Sequence, residues 1–446
     1  MKTILILEDN DERIAGFQKA LAELGDGYDR KIWRDAPSMV AECAEFFSTA
    51  VLICLDHDLN PQPGAVSDPG TGLDVAQFLG DFLPVCPVLI HSSNTDRVYS
   101  MSNELRFANW MVDRVGPLGA DWIGTTWRKR VHELLSEQKN TWRASLPANH
   151  RERVERMRLS LDGLGLGDSL GEMLCYQSAN APSRIAENDL PAGPWFHTDD
   201  TELAISIFSV LKSHGELNQD ALARRFARRF ERDPDRGYGS MTRIQLREIN
   251  AGAKWRDMAA SAFGGQGSMG NGGAMRVAPL GAYYAENLVA CAEAARASAL
   301  VTHTHPEGVA GTVAVAVGAA MAWQLRQTPE GEFAGHFFAE ILQYTPESQL
   351  RRGILLASQT PAEVGLRDVA KALGNGSLVT APDTVPFCLW MAAHHPHRFV
   401  EVLGKTIGAD GDCDTNAAIV LGIVALSAGR ESIPKEWLKA REVIPI

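Results

Sequence analysis

Short apolar runs alternate with stretches of helical periodicity in the first third of the chain. The strand-length runs are 3–7, 50–55 and 87–90, and the helical stretches are 12–24, 73–82, 97–110 and 121–135. This alternation predicts an α/β domain in which a parallel sheet carries helices on both faces. In such sheets the ligand site lies at the carboxyl ends of the strands.

Beyond residue 156 the pattern changes to long helical segments rich in Ala, Leu and Val. These segments occupy residues 203–211, 286–300, 309–325 and 417–426, and strand signals nearly vanish. A polar stretch at 138–155 separates the two patterns and is typical of a linker or a solvated connecting helix. The chain is therefore predicted to be multidomain, with an α/β domain at 1–137, a linker at 138–155 and an all-α domain at 156–446.

The composition is that of a soluble globular protein, with 45% hydrophobic and 22% charged residues. A net charge of −12 argues against general binding to nucleic acids or membrane surfaces, because both require basic patches. The seven cysteines never occur at C-x-x-C spacing, which argues against a disulfide framework or a zinc site. Neither a signal peptide nor an apolar run of about 18 residues is recognisable, so we expect a cytoplasmic protein without membrane spans.

Two acidic motifs each stand directly before a long apolar helix in the second domain. They are the H-T-D-D-T segment at 197–201 and the D-G-D-C-D-T-N segment at 410–416. Thr and Asp are good N-caps, so one interpretation is two ordinary helix starts. Each motif also clusters carboxylates with hydroxyl groups, and adjacent carboxylates repel unless a cation neutralises them. Two such clusters that met in space would form a two-metal site able to activate water, and the residues alone leave both interpretations open.

A glycine-rich segment and a histidine pair lie between the acidic motifs. Residues 264–276 read G-G-Q-G-S-M-G-N-G-G-A-M-R and include six glycines, which allow backbone N–H groups to approach a phosphate closely. The alternative is a flexible loop between helices. The segment T-H-T-H-P at 302–306 precedes another helix, and its histidines are candidates for substrate contact or a packed polar core rather than for a metal site, which would need a third nitrogen ligand.

Taken in order, these motifs resemble those of the ADP-ribosylglycohydrolase family. The resemblance covers nearly all of residues 156–446, and the matching pieces are G-L-G-L-G-D-S-L-G at 163–171, Trp195 with T-D-D-T, the glycine-rich segment, the T-H segment, D-C-D-T-N-A-A-I and I-P-K-E-W-L at 433–438. The resemblance implies a compact all-α fold with two Mg²⁺ or Mn²⁺ ions. It also implies a substrate that contains ADP-ribose, either a small molecule or a modified macromolecule.

The same resemblance assigns roles to individual residues. The implied metal ligands are Thr198, Asp199 and Asp200 on one side and Asp412, Asp414 and Thr415 on the other, with Asp412 bridging. The residues implied to hold the diphosphate and the distal ribose are Gly267, Ser268, Met269, Gly270 and Asn271. His303 stands where the family places a histidine that contacts the ligand.

Cleavage at C1″ of ADP-ribose has oxocarbenium-like character, so metal-bound water and a carboxylate acting as general acid or base suit the reaction. The candidate catalytic carboxylates are Asp199, Asp412 and Glu172. One departure concerns a glutamate that many family members carry a few residues after the G-D-x-x-G motif. Here that position is Cys175, whereas Glu172 directly follows the motif. Glu172 either takes the role from a shifted position or is a surface residue.

The first domain places acids directly after its predicted strands. Glu8 and Asp9 follow the first strand, and Asp56 follows the run at 50–55. This arrangement resembles the receiver domain of two-component systems, in which an acidic pair and a phospho-accepting aspartate bind Mg²⁺. The resemblance implies one Mg²⁺ here, with Asp56 as the acceptor and Ser92 or Ser93 as the hydroxyl after the fourth strand.

Two departures separate this domain from signalling receivers. The lysine expected after the fifth strand is not found at 112–117, and His57, Asp58 and His91 add groups suited to proton transfer and phosphate contact. These features resemble the divergent receiver family associated with processing of cyclic phosphates, including those of ADP-ribose. The alternatives are a receiver that gates the hydrolase by phosphorylation of Asp56 and a degenerate receiver kept for docking or dimerisation. For the second domain, a non-catalytic sensor of ADP-ribose is the alternative.

Overall fold

The computed structural model describes residues 2–136, apart from 24, 26, 63, 65, 66, 83 and 109, together with residues 146–445. The chain forms two compact units, Met1–Leu146 and Pro147–Ile446. Part of the stretch expected to be a linker, 138–145, lies outside the described residues, as does residue 137. A long helix already begins at His150, so the second unit includes helical residues of that polar stretch.

The first unit is built on a parallel five-stranded sheet in the order β2-β1-β3-β4-β5, a doubly wound order. Its strands are β1 (Lys2–Leu7), β2 (Tyr28–Trp33), β3 (Ala50–Leu55), β4 (Val88–Ile90) and β5 (Val112–Arg114). Its helices are α1 (Asp11–Ala22), α2 (Ala36–Glu42), α3 (Gly72–Leu79), α4 (Thr95–Phe107) and α5 (Arg128–Ser136). The predicted α/β class of this unit is confirmed.

The central strands β1 and β3 position the acids that follow them. Alternate residues of both strands feed two separate cores, one on each face of the sheet, because helices cover both faces. In the parallel pairing, Leu7 lies opposite Leu55, so the two strands end at the same level. The next residues, Glu8 and Asp56, are therefore neighbours at the carboxyl edge of the sheet.

Some elements of the first unit differ from the predicted pattern. The strand β2 was not predicted, because it is an edge strand whose sequence, Y-D-R-K-I-W, exposes Asp29 and Arg30 instead of forming an apolar run. The single helix predicted at 121–135 is a π-helical turn, Ile123–Trp127, that continues into α5.

The second unit is helical, as predicted. Its helices are α6 (His150–Leu174), α7 (Ala181–Ala186), α8 (Asp199–His214), α9 (Gln219–Arg232), α10 (Ser240–Asn250), α11 (Trp255–Ser261), α12 (Ala278–Tyr283), α13 (Leu288–Leu300), α14 (Pro306–Gln324), α15 (Glu330–Tyr344), α16 (Gln349–Gln359), α17 (Leu366–Leu373), α18 (Ala381–His394), α19 (Phe399–Gly408), α20 (Cys413–Ala428) and α21 (Lys435–Ala440). The four helices predicted from apolar periodicity correspond to α8, α13, α14 and α20.

A stripe of glycines lets α6 and α20 pack backbone to backbone in antiparallel orientation. Gly163, Gly167 and Gly171, spaced four residues apart on α6, all face α20. A Cβ atom at Gly167 would lie 2.2 Å from the carbonyl oxygen of Ala417, and one at Gly163 would lie 2.4 Å from that of Leu421. Because a helix backbone cannot move aside, only glycine permits this approach. The contact brings the acidic start of α20 beside the last turns of α6.

The helix α14 corrects the expectation that no segment has the length and composition of a membrane span. Its 19 residues are apolar enough to cross a membrane, but 83% of the apolar stretch is buried within the unit. A helix that is apolar on every side is also typical of the core of a large helical domain, and the burial of α14 fits that role.

Candidate active site

A cavity of about 540 Å³ brings both acidic motifs, the glycine-rich loop and the first histidine of the T-H segment together. Its lining includes these residues predicted from the sequence: Asp199, Asp200, Gly267, Ser268, Met269, Gly270, Asn271, His303, Asp412, Asp414 and Thr415. Thr198 is buried directly before this group, and Glu172 is exposed; both lie outside the lining. The fold thus gathers segments that are far apart in the sequence around one space.

Asp168 holds the T-D-D-T segment in place. Its carboxylate accepts the backbone N–H of Thr198 at 3.0 Å and that of Thr201 at 3.1 Å, as well as the Thr201 hydroxyl. Acceptors of this kind satisfy the free N–H groups at the start of a helix and complement its dipole. Burial and the nearby Asp414 raise the pKa of Asp168 to about 6. The sequence had indicated no role for Asp168, although an acid beside glycines in an apolar helix was an available signal.

The two acidic helix starts use their N-cap residues differently. The Thr198 hydroxyl caps α8 by accepting the N–H of Asp200 at 3.4 Å. Asp412 occupies the N-cap position of α20, but its side chain makes no capping hydrogen bond with the described residues of that helix. Its carboxylate instead accepts from the side-chain amide of Asn271 at 2.7 Å, on the glycine-rich loop. Helix capping therefore explains Thr198 but not Asp412.

The carboxylates around the cavity destabilise one another. Burial raises the pKa values of Asp199 and Asp200 well above the usual range, and repulsion from neighbouring carboxylates adds to the rise. Burial and the adjacent Asp414 raise the pKa of Asp412 to about 8, although the hydrogen bond from Asn271 opposes this effect. Carboxylates removed from water in this number require protons or cations as compensation.

The donor set fits divalent cations. Oδ1 of Asp200 is buried and has no hydrogen-bond partner among the described residues, which leaves its lone pairs available to a cation. Carboxylate and hydroxyl oxygens are the ligands that Mg²⁺ and Mn²⁺ prefer. Within residues 146–445, no three of the cavity's acidic side chains have oxygens that all lie within 4.8 Å of one another. The carboxylates that line the cavity come from two helix starts, those of α8 and α20.

The glycine-rich loop forms a defined wall of the cavity. Gly267 has a φ of 77°, and a Cβ atom there would lie 2.3 Å from the hydroxyl oxygen of Thr304, so this turn requires glycine. The Ser268 hydroxyl accepts the backbone N–H of Gly270 at 3.2 Å, and the carbonyl oxygen of Met269 accepts the N–H at the start of α18 at 3.0 Å. The second bond ties the loop to the beginning of α18, and Gly267 packs against Thr304 just before α14.

A hydrogen-bond chain links Arg276, Thr302 and His303. Nη2 of Arg276 donates to Oγ1 of Thr302 at 2.8 Å, and that oxygen lies 2.7 Å from Nδ1 of His303. The Thr302 hydroxyl accepts from Arg276 and has its own proton to donate to Nδ1, an arrangement in which the ring proton of His303 is on Nε2. Nε2 faces the glycine-rich loop, 3.1 Å from where a Cβ atom on Gly272 would lie. Burial and Arg276 lower the pKa of His303 to about 3, so the ring is a neutral donor.

Arg276 is a residue of the site that sequence reasoning missed. Its guanidinium is completely buried, lines the cavity and lies 4.4 Å from the centre of the Phe226 ring. Nε and Nη1 have no hydrogen-bond partner within the described part of the chain. The position of this arginine at the end of a glycine-rich segment does not predict that its side chain is buried. Its positive charge offsets part of the carboxylate repulsion, most directly that of Asp199.

The site geometry can now be compared with known proteins. The profile described as ADP-ribosylglycohydrolase matches residues 148–444. The chain belongs to the ADP-ribosylglycohydrolase family. It is 30% identical to the ADP-ribosylhydrolase ARH3 of Xenopus tropicalis over 65% of this chain and 91% of that protein, and 29% identical to that of Homo sapiens over 55% and 75%. A solved structure titled "ADP-ribosylglycohydrolase-related protein complex" aligns over 66% of this chain and 94% of its own, with 25% identity and a TM-score of 0.48. Family membership confirms the prediction of a hydrolase.

Two residues of this glycohydrolase unit lie at or near the position where many family members carry a glutamate that is absent here. Glu172 is exposed on the last turns of α6, and partial loss of solvent around its carboxylate, together with the negative charge of Asp414, raises its pKa. The carboxylate therefore lies near the acidic start of α20 without lining the cavity. Cys175, at the position where the resemblance expects the glutamate, places its sulfur 2.7 Å from the sulfur of Cys413.

In the unit that precedes the glycohydrolase, the acids predicted for a receiver site also come together. Glu8, Asp9 and Asp56 are buried at the carboxyl edge of the sheet, with carboxylate oxygens all within 4.8 Å of one another. Nη1 of Arg13, which the sequence did not indicate, lies 2.9 Å from Asp56 and 3.6 Å from Glu8. Burial raises the pKa of Asp56, and the charge of His91 opposes the rise.

The other residues predicted for this site lie around the acidic group. Nε2 of the buried His91 is 3.3 Å from Oε2 of Glu8. Nδ1 of His57 is 2.7 Å from Oδ1 of Asp58, and the Ser92 hydroxyl accepts a backbone N–H two residues further on at 3.2 Å. Carboxylates and imidazole groups therefore meet at one edge of the sheet.

Proposed function

We propose that residues 148–444 hydrolyse the bond at C1″ of an ADP-ribosyl group with the help of two divalent cations, Mg²⁺ or Mn²⁺. The observation that carries this proposal is one cavity lined by buried and half-buried carboxylates from two helix starts. The family and the ADP-ribosylhydrolase relatives support the choice of reaction. The substrate is an ADP-ribose derivative or an ADP-ribosylated macromolecule.

Each side of the cavity has a role in this proposal. The residues that would hold the cations are Thr198, Asp199 and Asp200 on one side and Asp412, Asp414 and Thr415 on the other. When bound, the cations supply Lewis acidity for ribose oxygens and acidify a bound water. Asp412 would link the two sides, because its carboxylate lines the cavity and also accepts from Asn271 on the glycine-rich loop.

The loop and the histidine would orient the ligand. The loop 267–271 would line the diphosphate with the N–H groups of Ser268 and Met269 as donors, since those of Gly267, Gly270 and Asn271 already bond within the protein. The Nε2 proton of His303 would be donated to a ligand oxygen without adding charge beside the cations. Asp199 or Asp412 would accept the proton of the attacking water, and Glu172 is the remaining candidate from outside the lining.

Hydrolysis of a small substrate panel tests this proposal. ADP-ribosyl-arginine, O-acetyl-ADP-ribose and ADP-ribose 1″-phosphate would each be incubated with the protein in Mg²⁺, Mn²⁺ or EDTA. Asp412→Asn keeps the shape of the side chain and removes its charge. Asp410→Asn is the matched control, because Asp410 is exposed in the same motif and its φ of 60° suits asparagine equally well.

We expect cation-dependent release of ADP-ribose that Asp412→Asn abolishes and Asp410→Asn retains. Undiminished turnover in EDTA, or by Asp412→Asn, would refute the role given to the cations. Binding of ADP-ribose without turnover of any substrate would support a sensor instead. The substrate with the highest kcat/KM would identify the bond.

We infer a second function for residues 1–137, as a receiver-like domain that opens or removes a phosphate of an ADP-ribose derivative with one Mg²⁺. The buried group of Glu8, Asp9 and Asp56 beside His91 supports a metal-assisted phosphoester reaction. The strand order is one that receiver domains share. Arg13 adds a cation that can meet a phosphate oxygen once it is displaced from Asp56.

Opening of ADP-ribose 1″,2″-cyclic phosphate by the wild type, by Asp56→Asn and by Asp29→Asn tests this inference. Asp29 is the control, because it is an exposed aspartate on the edge strand β2. Loss of opening in Asp56→Asn alone is the expected result. Labelling of Asp56 by acetyl phosphate with a change in ADP-ribosyl hydrolysis would support gating by phosphorylation, and no activity or labelling would support docking.

A further inference from the structure

Two cysteines from distant parts of the chain meet beside the acidic start of α20. Cys175 begins the 3₁₀ turn Cys175–Asn180 that follows α6, and Cys413 is the first residue of α20, between Asp412 and Asp414. Their sulfur atoms are 2.7 Å apart, although 238 positions separate the residues along the chain. The packing of α6 on α20 therefore creates a thiol pair next to the carboxylates of the cavity.

The two thiols differ in their access to solvent. Cys413 is buried, whereas Cys175 is half-buried and is the one cysteine among the seven that is not classed as buried. Small oxidants therefore reach Cys175 first. The pair has the arrangement of redox-sensitive cysteines, in which an accessible sulfur has a second, resolving sulfur within reach.

A bound thiophilic cation is the competing explanation, because Asp410 brings a third ligand atom within 4.8 Å of both sulfurs. Two thiolates on one tetrahedral Zn²⁺, each about 2.3 Å from the ion, would lie about 3.8 Å apart. The sulfurs of Cys175 and Cys413 are about 1 Å closer than that, and they need to approach by only about 0.7 Å more to reach a disulfide length of about 2.0 Å. The separation therefore favours a covalent bond.

We propose that Cys175 and Cys413 are a modification site at which a hydroperoxide introduces a reversible disulfide. The sulfur of Cys175 attacks one peroxide oxygen, the O–O bond breaks, and a sulfenic acid and one water form. The sulfur of Cys413 then attacks Cys175, the S–O bond breaks, and a second water leaves. Two thiol hydrogens and one hydrogen peroxide thus become one disulfide and two waters. A dithiol reverses the reaction by exchange.

The disulfide joins the end of α6 to the residue between two proposed cation ligands. Metal and catalytic sites tolerate displacements of only about 0.5 Å, so tying Cys413 to Cys175 changes how Asp412 and Asp414 face the cavity. We expect oxidation to raise the Mg²⁺ concentration for half-maximal hydrolysis about tenfold. This effect on hydrolysis rests on the proposed function, whereas formation of the disulfide does not.

Peptide mapping under non-reducing conditions after treatment with hydrogen peroxide tests the site itself. The full chain and the variants Cys175→Ser and Cys291→Ser would be compared; Cys291 is the control because it is a buried cysteine on α13. A cross-linked peptide pair that contains Cys175 and Cys413 is expected in the wild type and in Cys291→Ser, and it should vanish on addition of dithiothreitol. If both cysteines can still be alkylated after peroxide treatment, the proposal is overturned.

Two further measurements separate the alternatives. After oxidation, the wild type should need about ten times more Mg²⁺ for half-maximal hydrolysis, and dithiothreitol should restore the original concentration. In Cys175→Ser, oxidation should leave this concentration unchanged. If the protein has no hydrolase activity, the peptide mapping still decides whether the disulfide forms. Protection of both thiols by stoichiometric Zn²⁺ without any cross-link under peroxide would overturn the disulfide in favour of a cation site.

Discussion

Replacement of Gly167 by alanine tests whether the glycine stripe on α6 is required for its contact with α20. The new Cβ atom would lie 2.2 Å from the carbonyl oxygen of Ala417. Non-bonded carbon and oxygen atoms need about 1 Å more, and the obstructing atoms are backbone atoms of α20, so the two helices must separate or bend. The contact between Gly171, one turn further along α6, and the acidic start of α20 would then be disturbed as well.

The magnitude follows from two opposing terms. Overpacking of a well-packed core costs about 3 kcal/mol at the upper end of its usual range, which suits a clash with backbone. Alanine recovers about 1 kcal/mol through its higher helix propensity. The net loss of about 2 kcal/mol corresponds to a fall in Tm of about 3 °C for a unit of about 300 residues.

Thermal unfolding followed by circular dichroism, with and without Mg²⁺, measures this loss. Gly335→Ala is the matched control, because Gly335 lies inside α15, is exposed, and has no atom within 4 Å of its added Cβ. The control should raise Tm by about 1 to 2 °C, since only helix propensity changes. A Gly167→Ala variant as stable as the control would refute the reasoning.

Three further predictions concern the cavity. The pKa of Asp412 is raised from 3.8 to about 8, so its contribution to the stability of the cation-free protein should be complete below about pH 4 and be lost as pH rises through 8. Tm measured against pH in EDTA should fall less steeply over this range in Asp412→Asn, or with Mg²⁺, than in the wild type in EDTA. Thr302→Val should weaken ADP-ribose binding, measured by calorimetry, about tenfold or about 1.4 kcal/mol, because the His303 ring loses its hydrogen bond to the Thr302 hydroxyl. Thr302→Ser keeps this hydroxyl and should bind ADP-ribose as the wild type does. Asp168→Asn should cost about 1–3 kcal/mol in chemical denaturation and also lower hydrolysis, because backbone N–H groups of α8 lose an acceptor; wild-type stability would argue against its anchoring role.

The fold class was predictable because both halves of the chain carry strong patterns. Central strands such as β3 are continuous apolar runs because helices cover both of their faces, and helices such as α14 are apolar on nearly every side. The edge strand β2 escaped prediction because one side of it meets solvent and its sequence is correspondingly polar.

The candidate site was predictable where chemistry is concentrated in short motifs, as in T-D-D-T and D-C-D-T. Asp168, Arg276 and Arg13 were missed because their roles arise from contacts that exist only after folding. The carboxylate of Asp168, for example, meets a segment 30 residues away, and a lone aspartate in a helix does not disclose such a partner. Glu172 stays a prediction, since it is exposed outside the lining of the cavity.

The bond between Asn271 and Asp412 also bears on how the protein is made. It joins residues 141 positions apart, and the second acidic motif lies close to the end of the chain. Contacts of such long sequence separation form slowly and late. During synthesis, α8 and the glycine-rich loop therefore leave the ribosome long before α20 can join them. A chain released before α20 is complete should contain most of the helical unit and yet lack the α20 side of the cavity, so ligands of the cavity can assist folding only after α20 has been made.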